Sequence, residues 1–291
     1  MSHAKRLREL LAGQPFIAPG CYDAYTALLI EQAGFPCAYV SGASIAFTRL
    51  GRPDIGLTTL SEVADTVGNI RERVSLPLIV DGDNGFGNAL NVQRTVRLLE
   101  KMGASAIQLE DQTLPKRCGH LDGKSLVSTA EMLGKLKAAQ DARTDSATVI
   151  VARTDAIAVD GFEAGLARAH AYAEAGADVL FIEALRGVDQ LRRVGRELGG
   201  RVPLLANMVE GGKTPLLSIG ELGDLGFRLA IHPGAMVRVV GHAATHYLKT
   251  LKADGTTRGM LDRMFDFTRL NEVIGTAEML RHGDRYRDVD S

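Results

Sequence analysis

Ile107-Gln108-Leu109-Glu110-Asp111-Gln112-Thr113-Leu114-Pro115-Lys116-Arg117-Cys118-Gly119-His120 is the stretch around which the rest of the chain can be read. It begins as an apolar β-run, ends that run on two acids, and breaks into a polar loop at Pro115. The loop gathers Lys116, Arg117 and His120 around one thiol, Cys118. Cations beside a cysteine favour its thiolate, and such a thiol can exchange protons near neutral pH. Taken alone, the loop could equally be a basic surface turn with an incidental cysteine. Upstream, however, Asp81-Gly82-Asp83 closes a second apolar run, Leu78-Ile79-Val80. Two run ends that carry acids, followed by a thiol loop, argue for a site.

Outward from these two runs, the same unit repeats. Short apolar β-runs fall at residues 16–18, 37–40, 77–80, 106–109, 148–152, 179–182, 203–206 and 229–231, the last preceded by apolar residues at 222–225. Helical stretches separate them, with caps such as Asp23 and Ser128 and stops such as Gly34 and Gly176. This alternation predicts an α/β fold, a single (β/α)8 barrel over residues 1–255, with a helical tail over 256–291. A doubly wound open sheet would want a glycine-rich phosphate turn after the first run, and Pro19-Gly20-Cys21-Tyr22-Asp23 is no GxGxxG. The polar residues sharpen the expectation. Asp81, Asp83, Glu110, Arg153, Glu183, Asn207 and His232 all stand at the C-terminal ends of their runs, which in a barrel converge on one face.

Composition excludes several function classes. With 291 residues and 45% hydrophobic content the chain can bury a large core, and its formal charge of −1 exerts no pull on nucleic acid or anionic membrane. Cys21, Cys37 and Cys118 are odd in number and widely spaced, which is neither a disulfide framework nor a zinc site. The first residues form a charged amphipathic start rather than a signal peptide, and no apolar run approaches the ~18 residues needed to span a bilayer. A soluble cytoplasmic protein, without nucleic-acid or membrane partners, is the expectation.

The mouth then offers specific chemistry. Asp81, Asp83 and Glu110 are hard oxygen ligands on neighbouring strands, suited to Mg²⁺ or Mn²⁺, and so many carboxylates aimed at one point repel unless a cation joins them. The other reading is acids that cap helix N-termini. Asp54, in a loop, could reach the cation's water shell. Arg153 suits bidentate binding of a carboxylate or phosphonate, its alternative being an ion pair with Asp155 or Glu183. Ser41-Gly42-Ala43 offers a hydroxyl and close N–H groups for an anionic oxygen, or merely a tight turn. Asn207, Glu210 and Arg238 could hold a second carboxylate, and Tyr39 points toward the same mouth. His242 and His246 lack an HExxH context, so surface or interface roles fit them better.

Five segments together resemble the isocitrate lyase/phosphoenolpyruvate mutase superfamily: residues 81–88 (DGDNGFGN), 109–112 (LEDQ), 115–120 (PKRCGH), 151–155 (VARTD) and 206–215 (ANMVEGGKTP). The resemblance runs in register from about Pro19 to Arg238. It implies a Mg²⁺-dependent barrel enzyme that makes or breaks C–C or C–P bonds beside an α-oxy-carboxylate. It also implies a homotetramer, a dimer of dimers whose paired subunits exchange the last helix. By position, Asp81 would bind the metal directly, with Asp54, Asp83 and Glu110 acting through water. Ser41, Gly42 and Arg153 would hold the substrate's carboxylate, with Ala43, Glu183, Asn207, Glu210 and Arg238 completing the pocket. Residues 116–120 would be a gating loop with Cys118 as catalytic acid, assisted by Lys116, His120, Tyr39 and Glu110.

Departures from the family pattern narrow the substrate. Leu121 stands where lyases of three-carboxylate substrates resemble one another in an arginine, and Val209 where they carry a hydroxyl. A 2-alkylmalate-like dicarboxylate therefore fits better than isocitrate or methylisocitrate. His232 replaces a common tyrosine, so the pocket floor should differ, while Pro233 argues mildly against the oxaloacetate-hydrolysing branch. The expected activity is C–C cleavage of a 2-hydroxy dicarboxylate to an α-keto acid and a carboxylate. Its rivals are a carboxyphosphonoenolpyruvate phosphonomutase and an oxaloacetate decarboxylase or hydrolase. A non-catalytic dicarboxylate sensor would be expected to have lost the acids or the cysteine. Finally, apolar residues between 260 and 280 call for a partner surface.

Overall fold

The computed structural model describes residues 2–119 and 121–287. Eight parallel strands close on themselves in sequence order: β1 (Phe16–Cys21), β2 (Ala38–Val40), β3 (Leu78–Asp81), β4 (Ala106–Glu110), β5 (Val149–Thr154), β6 (Val179–Ile182), β7 (Leu204–Asn207) and β8 (Leu229–His232). β1 pairs with β2 on one side and β8 on the other, which makes this the expected (β/α)8 barrel.

The strand register explains where the polar residues go. Side chains alternate across a strand, so every second residue of each strand faces the barrel axis. Phe16 and Ala18, Tyr39, Ile79, Ala106, Val149 and Val151, Val179 and Phe181, Leu205, Leu229 and Ile231 form one buried cluster. One further step along each strand at that parity reaches Asp81, then Gln108 and Glu110, Arg153, Glu183 and Asn207. The interior is therefore apolar at the bottom and charged at the top. His232 has the opposite parity to Ile231 and leaves the axis.

Two elements differ from expectation. β1 continues through Pro19-Gly20 to Cys21, because Pro19 pairs with His232 and Gly20 with Tyr39. Gly20 tolerates this because the Pro233 backbone lies where a Cβ would stand. The apolar residues at 222–225 belong to a helix, Ile219–Asp224 and its cap, which precedes β8 rather than pairing in it. The charged start is a helix, His3–Ala12, whose Leu7 and Leu11 join the core beneath the barrel.

The chain separates into two compact units, one ending at Val237 and the other beginning at Arg238. That division falls inside the last long helix, Ala235–Asp254, whereas the sequence reading places it after that helix at residue 255. The second unit continues with a 3-10 turn, Arg258–Arg263, and helices Phe267–Ile274 and Thr276–Asp284. No helix among the described residues is long and apolar enough to cross a membrane.

Candidate active site

The inward ring and the thiol loop meet. Tyr39, buried below the ring, donates from its hydroxyl to Gln108 Oε1 at 2.8 Å, and Gln108 Nε2 donates to Asp81 Oδ1 at 3.1 Å. Tyr39 thus steadies Asp81 through Gln108 instead of reaching the mouth. Burial, then the Asp81 charge, pushes its phenol well above the ordinary range. Gly42 lies so close to Asp81 that an added Cβ would sit 3.1 Å from Oδ2. Ser41 caps the short helical turn that follows it by accepting from Ser44 N, and Ala43 lies within that turn.

Lys116 is the cation between the acids. Its Nζ lies 2.5 Å from Asp54 Oδ1 and 2.6 Å from Asp83 Oδ1, and its side chain is 5% exposed. Cys118 N donates to Asp54 O at 3.1 Å, so the thiol loop and the Asp54 loop are tied together. Cys118 itself is half-buried. Glu110 faces Arg153 Nε at 3.3 Å through Oε2, while its buried Oε1 has no hydrogen-bond partner among the described residues.

Arg153 is shared. Nε and Nη2 donate to both oxygens of Asp155 at 2.9 and 3.1 Å, Nη2 lies 3.4 Å from Glu183 Oε2, and the guanidinium covers the Phe181 ring at 4.9 Å. Both alternative ion pairs named for Arg153 are therefore made, and they fix its plane rather than removing it from the mouth. Asn207 Nδ2 donates to Glu183 Oε2 at 2.9 Å, which leaves Asn207 Oδ1 buried without a partner among the described residues. Glu210 Oε1 lies 3.3 Å from His232 Nδ1. Arg238 lies on the long helix Ala235–Asp254, where the second unit begins. His120 lies outside the described residues.

Sequence reasoning missed a supporting layer. Asp111, fully buried, accepts from Thr154 Oγ1 at 2.7 Å, Asp155 N at 2.9 Å, Tyr172 hydroxyl at 2.8 Å and Arg168 at 3.1 Å. It fixes the backbone that presents Asp155 to Arg153. The only trace in the sequence is that the β4 run closes on two acids, Glu110 and Asp111. Lys124, which donates to Asp155 Oδ1 at 2.8 Å, leaves no trace beyond its charge.

The electrostatics state what is short. Burial pushes Asp83 up to about 6 despite Lys116, with Asp81 and Asp54 adding to the rise. Burial likewise lifts Glu110 well above the usual carboxylate range, against the pull of Arg153. Burial opposes the charge of Lys116, yet the surrounding acids hold its ammonium protonated well above the ordinary range. Hard oxygens outnumber positive charge, and two of them, Glu110 Oε1 and Asn207 Oδ1, lack a hydrogen-bond partner among the described residues, which is the donor chemistry a divalent cation fits. Among the described residues no three ligands already stand in metal-binding array; Lys116 stands between two of the acids instead.

A ring of acids and one arginine at the C-terminal face of a parallel barrel, beside a thiol-bearing loop, stands where barrel enzymes carry their chemistry. The pattern of the family described as phosphoenolpyruvate phosphomutase matches residues 7–252, and the chain belongs to that family within the isocitrate lyase/phosphoenolpyruvate mutase superfamily. It is 45% identical over 276 residues to a 2,3-dimethylmalate lyase of Eubacterium barkeri, covering 94% of this chain and 95% of that one. It is also 45% identical over 270 residues to a 2-methylisocitrate lyase of Aeropyrum pernix, covering 92% and 86%. A solved 2,3-dimethylmalate lyase superposes with a TM-score of 0.93 at 36% identity, over 100% of this chain and 97% of that one. A phosphonopyruvate hydrolase solved with oxalate and magnesium gives 0.87 at 31% identity, over 98% and 99%.

Proposed function

We propose that the chain is a Mg²⁺-dependent carbon–carbon lyase that cleaves a 2-hydroxy dicarboxylate of the 2-alkylmalate class into an α-keto acid and a carboxylate. The observation that carries this reading is the joining of loop and ring: Lys116 and Cys118 are tied to Asp54, Lys116 also to Asp83, and Gly119 lies against Arg153 and Glu183. The two lyases at 45% identity support it. The absence of an arginine at Leu121 and of a hydroxyl at Val209 favours a dicarboxylate over methylisocitrate.

Asp81 would hold the metal, with Asp54, Asp83 and Glu110 around it. When bound, the metal supplies a Lewis acid for the oxygen that becomes the carbonyl. Arg153, held flat by Asp155 and Glu183, binds the carboxylate next to that oxygen. Ser41, Gly42 and Ala43 close the pocket on the β2 side, and Asn207 and Glu210 meet the second carboxylate's end. Glu110 Oε1 takes the proton of the substrate hydroxyl, the C2–C3 bond breaks, and the electron pair moves onto C3 as an aci-carboxylate. Cys118 Sγ delivers a proton to C3 from the loop side, which completes the carboxylate product. The loop excludes water while this happens.

A homotetramer in the cytoplasm is the assembly we propose, the apolar residues of the second unit lying between subunits. The runner-up reading is a phosphonomutase, favoured by the NMVEGGKTP stretch. Incubation with 2,3-dimethylmalate, methylisocitrate, oxaloacetate and a phosphonopyruvate, followed by ¹H and ³¹P NMR with Mg²⁺, separates them. Keto-acid release from dimethylmalate is the expected outcome; turnover of the phosphonate alone would replace this reading with its rival.

A further inference from the structure

The thiol loop is held at its tip in three ways. Lys116 reaches Asp54 and Asp83, Cys118 N donates to Asp54 O, and Lys124 Nζ donates to Gly119 O. The first two bind the loop to the acids; the third lies within the loop, and the same Lys124 Nζ carries it to Asp155 Oδ1, just past β5. Lys124 is placed for this because the base of the loop is fixed. Gln112 bridges Leu126, Thr113 N donates to Ser125 O at 2.9 Å, and Val127 N donates to Asp111 O at 2.9 Å. From that base the Lys124 side chain, 1% exposed, turns inward between Gly119 O and Asp155 Oδ1.

Each partner is constrained in turn. Asp155 has no exposed surface and grips Arg153 with both oxygens. Gly119 lies against Arg153 and Glu183 so closely that an added Cβ would stand 2.5 Å from Nη2 and 2.6 Å from Oε2. A buried ammonium needs its acceptors, since an unmatched one is costly to keep out of water. Lifting the loop would take Gly119 O away and leave Lys124 with Asp155.

We propose that Lys124 is a positioning residue: it latches the thiol loop shut by joining the Gly119 carbonyl to the Asp155 that orients Arg153. Loop closure and the orientation of the substrate-binding arginine are thereby set by one ammonium. This rests on the reading that the loop covers a carboxylate held by Arg153, but the proteolysis arm of its test needs no substrate.

Trypsin cleavage of the Arg117–Cys118 bond in the free, full-length protein reports how often the loop opens, when opening is fast relative to cleavage. Lys124→Met is expected to raise that rate about tenfold with an unchanged melting temperature, and Lys124→Arg to restore most of the protection. On 2,3-dimethylmalate the Met variant should lose kcat while KM changes little. A wild-type cleavage rate at this bond overturns the proposal. So does an increase matched at bonds elsewhere in the barrel, which would make Lys124 a residue of the fold alone. If the Met variant fails to fold, Lys124→Gln, polar and nearly as long, carries the same comparison. Loop exposure in a protein that cleaves no dicarboxylate would sink the lyase reading and leave the latch standing.

Discussion

Three thiols in this chain differ only by surroundings. Cys21 is fully buried, and burial pushes its thiol up to about 12; Cys37 is raised further by the same cause. Cys118 stands on the loop with partial access to solvent. Since the thiolate is the nucleophile, iodoacetamide at pH 7.5 should alkylate Cys118 first and leave the others intact until the protein unfolds. Peptide mass spectrometry checks this, and early labelling of Cys21 would contradict it. Cys118→Ser, nearly isosteric but a far weaker acid, should cut kcat by ~10²-fold or more while oxalate binding by calorimetry changes little. Gly119 is limited by space rather than by chemistry. In Gly119→Ala the new methyl meets Arg153 and Glu183, so the loop should no longer seat, with kcat lowered ~10-fold or more and the melting temperature unmoved.

At the scale of elements, the two caps read from the sequence stand where expected: Asp23 caps Ala24–Gln32, and Ser128 caps Thr129–Ala142. Asp23 and Thr59 each close a full capping box, with Thr26 and Glu62 respectively, so the helices Ala24–Gln32 and Leu60–Arg73 start where a donor is satisfied. The helix His3–Ala12 was legible only as an amphipathic start. Its role, to plug the bottom of the barrel with Leu7 and Leu11, depends on a core assembled from strands far along the chain. Leu7→Ala should therefore cost ~2–5 kcal/mol in urea unfolding, as a large-to-small change at a fully buried site. A cost near zero would mean that the helix does not close the barrel.

For the whole molecule, the second unit leaves Phe265, Phe267, Leu270 and Ile274 exposed, Phe267 at 86%, while Val273 is buried. Such a surface calls for a partner, and light scattering at micromolar concentration should give a multiple of the 31.2 kDa chain. A monomeric mass would remove the tetramer from the proposal. Because the acids at the mouth outnumber the cations among them, Mg²⁺ should raise the melting temperature of the EDTA-treated protein, and Asp81→Ala should abolish that rise. An equal rise in Asp81→Ala would place the cation elsewhere.

The sequence by itself determined the barrel and the strand ends that carry the candidate site. Both follow from short-range rules: period two sends Asp81, Arg153, Glu183 and Asn207 the same way as the apolar residues two positions before them, and Glu110 the same way as Ala106 four before it, and parallel βα order brings those ends to one face. Which charges pair was decided only by the tertiary structure. Lys116 between Asp54 and Asp83, Tyr39 spent on Gln108, and Asp111 beneath Asp155 are contacts between segments far apart in sequence. Lys124 was invisible for the same reason. A lysine's reach and burial depend on how the loop folds back, and no local pattern encodes where a flexible side chain finds its acceptors.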